Sequence, residues 1–150
     1  MAHVKQQIRE YIVTKLTGLT TCGANVYDSR VYPYDVTPCM SVYGGEDHIL
    51  EPETLGQRQR REFMVIVEAR VKPEEGGSSV EDQLDDICKE VEAQIATYRK
   101  LGGLAEVAEY AGATRPELLD GVERPVGLIE ITFRVVYRII ATAPDTAIPV

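Results

Sequence analysis

Apolar residues recur every three or four positions at the start of the chain. Val4, Ile8, Tyr11, Ile12, Leu16 and Leu19 fall on one side of a helical wheel, with Lys5, Gln6, Arg9, Glu10 and Lys15 elsewhere. This predicts an amphipathic helix over 4–19 that fades near Gly18 and the TTCG turn. The period then shortens. Val26-Tyr27 and Val31-Tyr32 flank a turn at Asp28-Ser29, and Pro33 and Pro38 keep the region irregular or at a sheet edge. CMSVYG, closed by Gly44-Gly45, reads as a short strand, followed by a long charged loop over 45–59. EFMVIVEARV is the clearest strand. Phe63, Val65, Val67, Ala69 and Val71 share one face. Glu62, Met64, Ile66, Glu68 and Arg70 share the other, whose mixed character predicts a half-covered surface.

KPEEGGSS breaks the chain, and Ser78 and Ser79 stand three residues ahead of Glu81 and Asp82. That is a capping-box arrangement, in which hydroxyl and carboxylate each satisfy an orphan amide. The helix it opens runs to about Lys100, with Val80, Leu84, Ile87, Val91, Ile95 and Tyr98 as its apolar stripe. Acids crowd its start and Arg99 and Lys100 close its end, as the helix dipole prefers, and Gly102-Gly103 stop it. LAEVAEYAGAT admits a strand or a helical turn, the strand being favoured, and RPELLDGVERP reads as a polar loop. In GLIEITFRVVYRII, Ile129, Ile131, Phe133, Val135, Tyr137 and Ile139 face a core while Glu130, Thr132, Arg134 and Arg138 face out. The segment 142–150, with two prolines and no period, reads as a flexible tail. Strands joined without crossover helices argue for an α+β domain over 1–150, with a mostly antiparallel sheet of four to five strands and two helices packed on one face.

Composition narrows the function more than it names one. A formal charge of −8 argues against nucleic acid as the main partner, since phosphate binding needs clustered Lys and Arg. Three cysteines without a CxxC spacing indicate neither a disulfide framework nor a zinc ribbon, and read as reduced thiols. MAHVKQQIREYIV lacks the basic patch and apolar run of a signal peptide, and Glu130, Arg134 and Arg138 interrupt the longest apolar stretch, so no membrane span is expected.

Catalytic chemistry finds little support. His48, beside Glu46, Asp47 and Glu51, sits among consecutive residues that point different ways, which suits a solvated histidine better than a metal or a general base. Cys88 has acidic neighbours that oppose a thiolate, and Cys39 alternates into a strand. Neither Gly-Gly pair opens a helix through a phosphate-loop spacing, and no GxSxG occurs. No enzyme activity, cofactor or metal is therefore expected. Contact surface remains. Arg58, Arg60 and Arg61 cluster beside Glu62 against an acidic average, and either solvation or a neighbouring subunit would account for them. The acidic helix face, Asp82, Asp85 and Asp86, could receive those arginines from another copy. Outward Met64, Ile66, Leu128 and Val136 add apolar atoms to a face that one small sheet should leave polar.

The order of these elements resembles the phage tail terminator family of the minor tail protein U type. The residues that carry the likeness are Pro38, Val42 and Tyr43 in a Pro-containing bend and aliphatic strand, the strand from Phe63 to Val71, and Ile129 to Tyr137. The likeness covers about 4–140 and rests on pattern and order; the segment past Ala141 has no counterpart. It implies a structural virion protein of phage or prophage origin, found in the tail and, during assembly, in the host cytoplasm. Such a protein forms a homo-oligomeric ring of six that caps the tail tube, ends its polymerisation and meets the head-side connector. The family brings no catalytic residues, and the loop over 45–59 is where contact between subunits or rings is expected. Two other readings stand beside it: another head-to-tail neck or tail-completion protein, or a small bacterial ligand-binding or enzymatic α+β domain with a deep polar-lined pocket.

Overall fold

A computed structural model describes residues 2–28, 38–52, 57–72, 79–119 and 126–148. The N-terminal stripe forms α1 (Val4–Leu16), and its buried positions are Val4, Ile8, Ile12 and Leu16. His3 caps it, its Nδ1 accepting a hydrogen bond from the Lys5 backbone N–H at 3.0 Å. A two-residue strand β1 (Val26–Tyr27) leads on to a long hairpin, β2 (Cys39–Pro52) and β3 (Arg58–Val71). Helix α2 (Val80–Thr97) buries Leu84, Ile87, Val91 and Ile95. The Ser79 hydroxyl accepts from the Asp82 N–H at 3.1 Å, the side-chain half of the expected capping box. A short 3-10 turn precedes β4 (Val107–Ala113) and β5 (Glu117–Leu119), then β6 (Val126–Ile140) and β7 (Ala143–Ala147).

The class is α+β, and the seven strands among the described residues form one sheet in the order β1-β2-β3-β6-β4, with β5 and β7 also paired to β6. Every pairing is antiparallel except β1 with β2. The apolar stripes of α1 and α2 share one core with the inner-face residues of the sheet, among them Phe63, Val65, Val67, Ile131, Phe133 and Tyr137. Each fully buried aliphatic side chain there contributes about 1.5–3 kcal/mol. The opposite face is not bare. Val136 is fully buried and Leu128 nearly so, while Met64 and Ile66 are half-buried.

Several expectations need correcting. The helices are shorter than expected: α1 stops at Leu16 and α2 at Thr97, so Arg99 and Lys100 lie beyond the helix rather than closing it. The loop over 45–59 is largely strand: β2 runs on to Pro52 and β3 begins at Arg58. Gly44-Gly45 do not end β2, because a bulge between Gly44 and Asp47 absorbs the extra residues. Gly44 is needed there for closeness, since a Cβ would lie 2.7 Å from the Phe63 ring. The polar loop after β4 contains β5, and the tail read as flexible contains β7, whose Ala147 pairs with Ile139. Pro144 is tolerated because β7 is an edge strand. The sheet therefore has more strands than the four to five expected. The ambiguous segment after Lys100 is the strand β4. The Val31-Tyr32, Pro33, Ser78 and KPEEGG readings lie outside the described residues.

Gly127 marks where helix and sheet meet most closely. A Cβ there would stand 2.1 Å from Val80 Cγ1, at the start of α2. Gly127→Ala is expected to cost about 1–3 kcal/mol in urea unfolding, the usual penalty of overpacking. Adding Val80→Ala should recover most of that loss, and strictly additive penalties would contradict the contact.

Candidate functional site

Alternation along β3 splits the expected contact cluster between two faces. Arg58, Arg60 and Glu62 stand opposite Ile140, Arg138 and Val136 on the outer face, whereas Arg61 stands opposite Tyr137 on the helix side. Arg58 is exposed. Arg60 Nε lies 3.0 Å from Glu106 Oε2, and Arg138 pairs with the same carboxylate. Glu62 Oε2 lies 3.0 Å from Arg134 Nε, and Arg134 also reaches Glu109 at 2.9 Å. Those two acids hold the Arg134 guanidinium above its ordinary pKa. Asp82, Asp85 and Asp86 are exposed on α2, in the layer behind the sheet. Within one chain the structure therefore does not bring the arginines to the aspartates.

A second cluster forms on the helix side. Tyr137, fully buried, donates to Asp47, with both carboxylate oxygens 3.1 Å away. Arg61 Nη1 lies 3.3 Å from Asp47 and its guanidinium also donates to Gln59. Lys5 Nζ, from the first turn of α1, stands 4.0 Å from Asp47. Burial pushes the Tyr137 phenol well above its ordinary pKa, reinforced by Asp47 and opposed by Arg61. Burial lowers His3, helped by Lys5 and Arg61 and opposed by Asp47. This cluster fixes the end of α1 over β2, β3 and β6. Sequence reasoning missed it because Tyr137 and Asp47 are 90 residues apart and nothing local links them.

The thiols are poor nucleophiles. Burial, then Cys39 and Glu90, pushes Cys22 up to about 12. Burial, then Glu92 and Asp85, pushes Cys88 up to about 11, and burial raises Cys39. Among the described residues no three His, Cys, Asp or Glu side chains gather into a metal site. His48 is exposed and lies 3.0 Å from Glu46. Among the described residues no helix is long and apolar enough to cross a membrane.

Two flanks of the sheet carry little or no described partner strand. Among the described residues, β2 has a strand on its far side only at Met40 and Ser41, where β1 pairs. No described strand pairs with β4 on the side away from β6. Between β4 and α2 runs a groove of about 290 Å³, lined by Ile95, Ala96, Ala108, Tyr110 and Phe133, with Arg99 at its rim. No protein-family model matches the chain, and no curated protein matches it.

The split of the cluster gives a stability contrast. Arg134→Ala is expected to cost about 1–3 kcal/mol, because Glu62 loses its partner in a partly buried setting. Asp85→Ala and Arg58→Ala should stay within about 0.5 kcal/mol. Equal effects in chemical denaturation would reject the assignment.

A pH dependence follows from His3, which must be neutral to accept from Lys5. Its pKa is lower folded than unfolded, so its contribution is present above about 6.5, the unperturbed value, and is lost as pH falls below that. His3→Asn keeps a capping acceptor and should remove this part of the acid loss, seen as a flatter melting temperature between about pH 7 and 5. An unchanged slope would argue against the cap.

Proposed function

We propose that this chain is a phage tail terminator-like subunit, which assembles into a ring, caps the tail tube, ends tube growth and joins the tube to a head-side connector. What supports the reading, beyond the likeness in element order, is the distal end of the β2-β3-β6 blade. Past Asp47 and Tyr137, where the α1 cluster ends, the blade continues to Pro52, Arg58 and Ile140. Ile140 is exposed there, at 37%, and so is the Arg58 side chain. An end of four strands, β7 lying beside β6 there, that carries apolar and cationic groups suits a protein ligand above or below the subunit. A shallow surface of this kind offers a small substrate no enclosure.

The ring is tested by size-exclusion chromatography with light scattering, which should give a mass near six times the 16.7 kDa protomer. Added to polymerising tail tube protein, the chain should yield tubes of fixed length with a ring at one end in electron micrographs. Tubes that keep lengthening with the chain present would overturn the reading. Arg58→Glu should leave the fold and the ring intact and lower tube capping at least tenfold. Normal capping by that variant would remove the distal end from the contact.

A further inference from the structure

We propose that a second copy of this chain completes the sheet. The open flank of β2 in one subunit adds antiparallel to the open flank of β4 in the next, and Ile49 seats in the groove beside Tyr110. The inference rests on the ring reading and gives its subunit contact.

The first ground is the character of the β4 flank. Exposed edge strands are normally blunted by charge or proline, because their free amides and carbonyls recruit other strands. Residues 109–114 read Glu-Tyr-Ala-Gly-Ala-Thr, without proline, and the one charge, Glu109, is held by Arg134 on the outer face. The flank opens only past Ala108, whose N–H donates to the Arg99 carbonyl at 2.6 Å. A bulge between Tyr110 and Gly112 is its sole irregularity.

Direction and face supply the second ground. β2 is antiparallel to β3, β3 to β6 and β6 to β4, so β2 and β4 run in opposite senses. Rotation about an axis lying along the strands preserves sense, so a neighbour's β2 would meet β4 antiparallel. Ile49 stands opposite Arg61, and Tyr110 opposite Phe133; both positions are on the helix side of the sheet. Among the described residues these two are the most exposed of the large apolar side chains, at 50% and 52%. A continued sheet keeps its faces, which brings Ile49 of one copy beside Tyr110 of the other. The Tyr110 ring already stands edge-on to Phe133, 6.2 Å between centroids, and an added aliphatic group would cover its open side.

The third ground is that the two flanks differ in shape. Ile49 projects from the β2 flank, while the β4 flank offers a groove lined by Ile95, Ala108, Tyr110 and Phe133, with Glu92, Arg99 and Glu109 about it. Each flank fits the other better than itself, which selects a head-to-tail contact that closes into a ring over a two-fold dimer.

Paired cysteines test this. Ile49→Cys and Tyr110→Cys are introduced together in a Cys88→Ala background, Cys22 and Cys39 being buried, and the assembled protein is treated with a short bismaleimide. A ladder of covalent oligomers ending at the ring size, from the double variant and from mixed single variants only, supports the contact. Dimers from either single variant alone would show a two-fold contact and overturn it. A ring seen by light scattering with no cross-link in the double variant overturns the contact and leaves the ring reading standing. A wild-type chain that is monomeric in solution and on tubes overturns both. Independently, Tyr110→Lys should reduce the ring to monomers while the folded circular dichroism spectrum persists; a ring that survives this change also overturns the contact.

Discussion

The pairing of β3 with β6 is the constraint on which the rest of the structure hangs. It runs from Arg58 opposite Ile140 to Val71 opposite Gly127 without a single shift of register. Side chains alternate between faces along both strands, so a slip of one residue would send Val65 and Val67 outward and bring Met64, Ile66 and Glu68 under the helices. Glu68, the charged one among these, would cost several kcal/mol once buried without a partner. Strand β6 is also the hub to which β4, β5 and β7 pair, so their positions follow from the same register. The helices follow too, since Gly127 is where the sheet makes room for the first turn of α2.

A long unshifted pairing has an electrostatic consequence. It sets Arg60 directly opposite Arg138 and Glu68 directly opposite Glu130, and like charges in that position repel. The chain resolves each conflict with a third group. Glu106, just ahead of β4, sits between the two arginines. Arg70 pairs with Glu68 at 3.5 Å, and the Tyr43 hydroxyl donates to Glu130 at 3.2 Å. The charged outer face is therefore largely a product of folding. Most of its arginines serve the sheet, and Arg58 is the exposed one; elsewhere among the described residues Lys89, Arg99, Lys100 and Arg115 are exposed cations.

The parts of this that could be read from the sequence were those governed by local period and local capping. The stripes of α1 and α2, the alternation in β3 and β6 and the Ser79 cap depend on residues a few positions apart. The continuation of β2 could not be read, because a glycine pair looks like a strand end unless one knows that the Phe63 ring lies against it. β5 and β7 carry weak strand signals and exist because β6 offers unpaired length at both ends. The cluster of Arg58, Arg60 and Arg61 was visible as composition, but as a site it dissolved once strand geometry sent Arg61 to one face and its neighbours to the other. Glu106 and Asp47, which hold Arg60 and Arg61, gave no signal, since their partners lie 46 and 14 residues away.

These assignments bear on how copies of such a chain could associate at all. With a formal charge of −8 and an exposed acidic face on α2, two copies repel unless they meet in a specific way. Arginines already held inside the sheet cannot relieve that repulsion without being taken from Glu62, Glu106 or Asp47. Contact between copies must then draw on groups that carry no net charge, or on the few cations that remain open. Backbone amides along an unpaired strand are such groups, indifferent to side-chain charge and fixed in direction by the sheet that carries them. The same rigid β3-β6 register that consumes the arginines also holds the two flanks without a described partner strand at a set spacing and a set sense, so in the proposed ring the feature that removes charge as a means of association would supply strand pairing in its place.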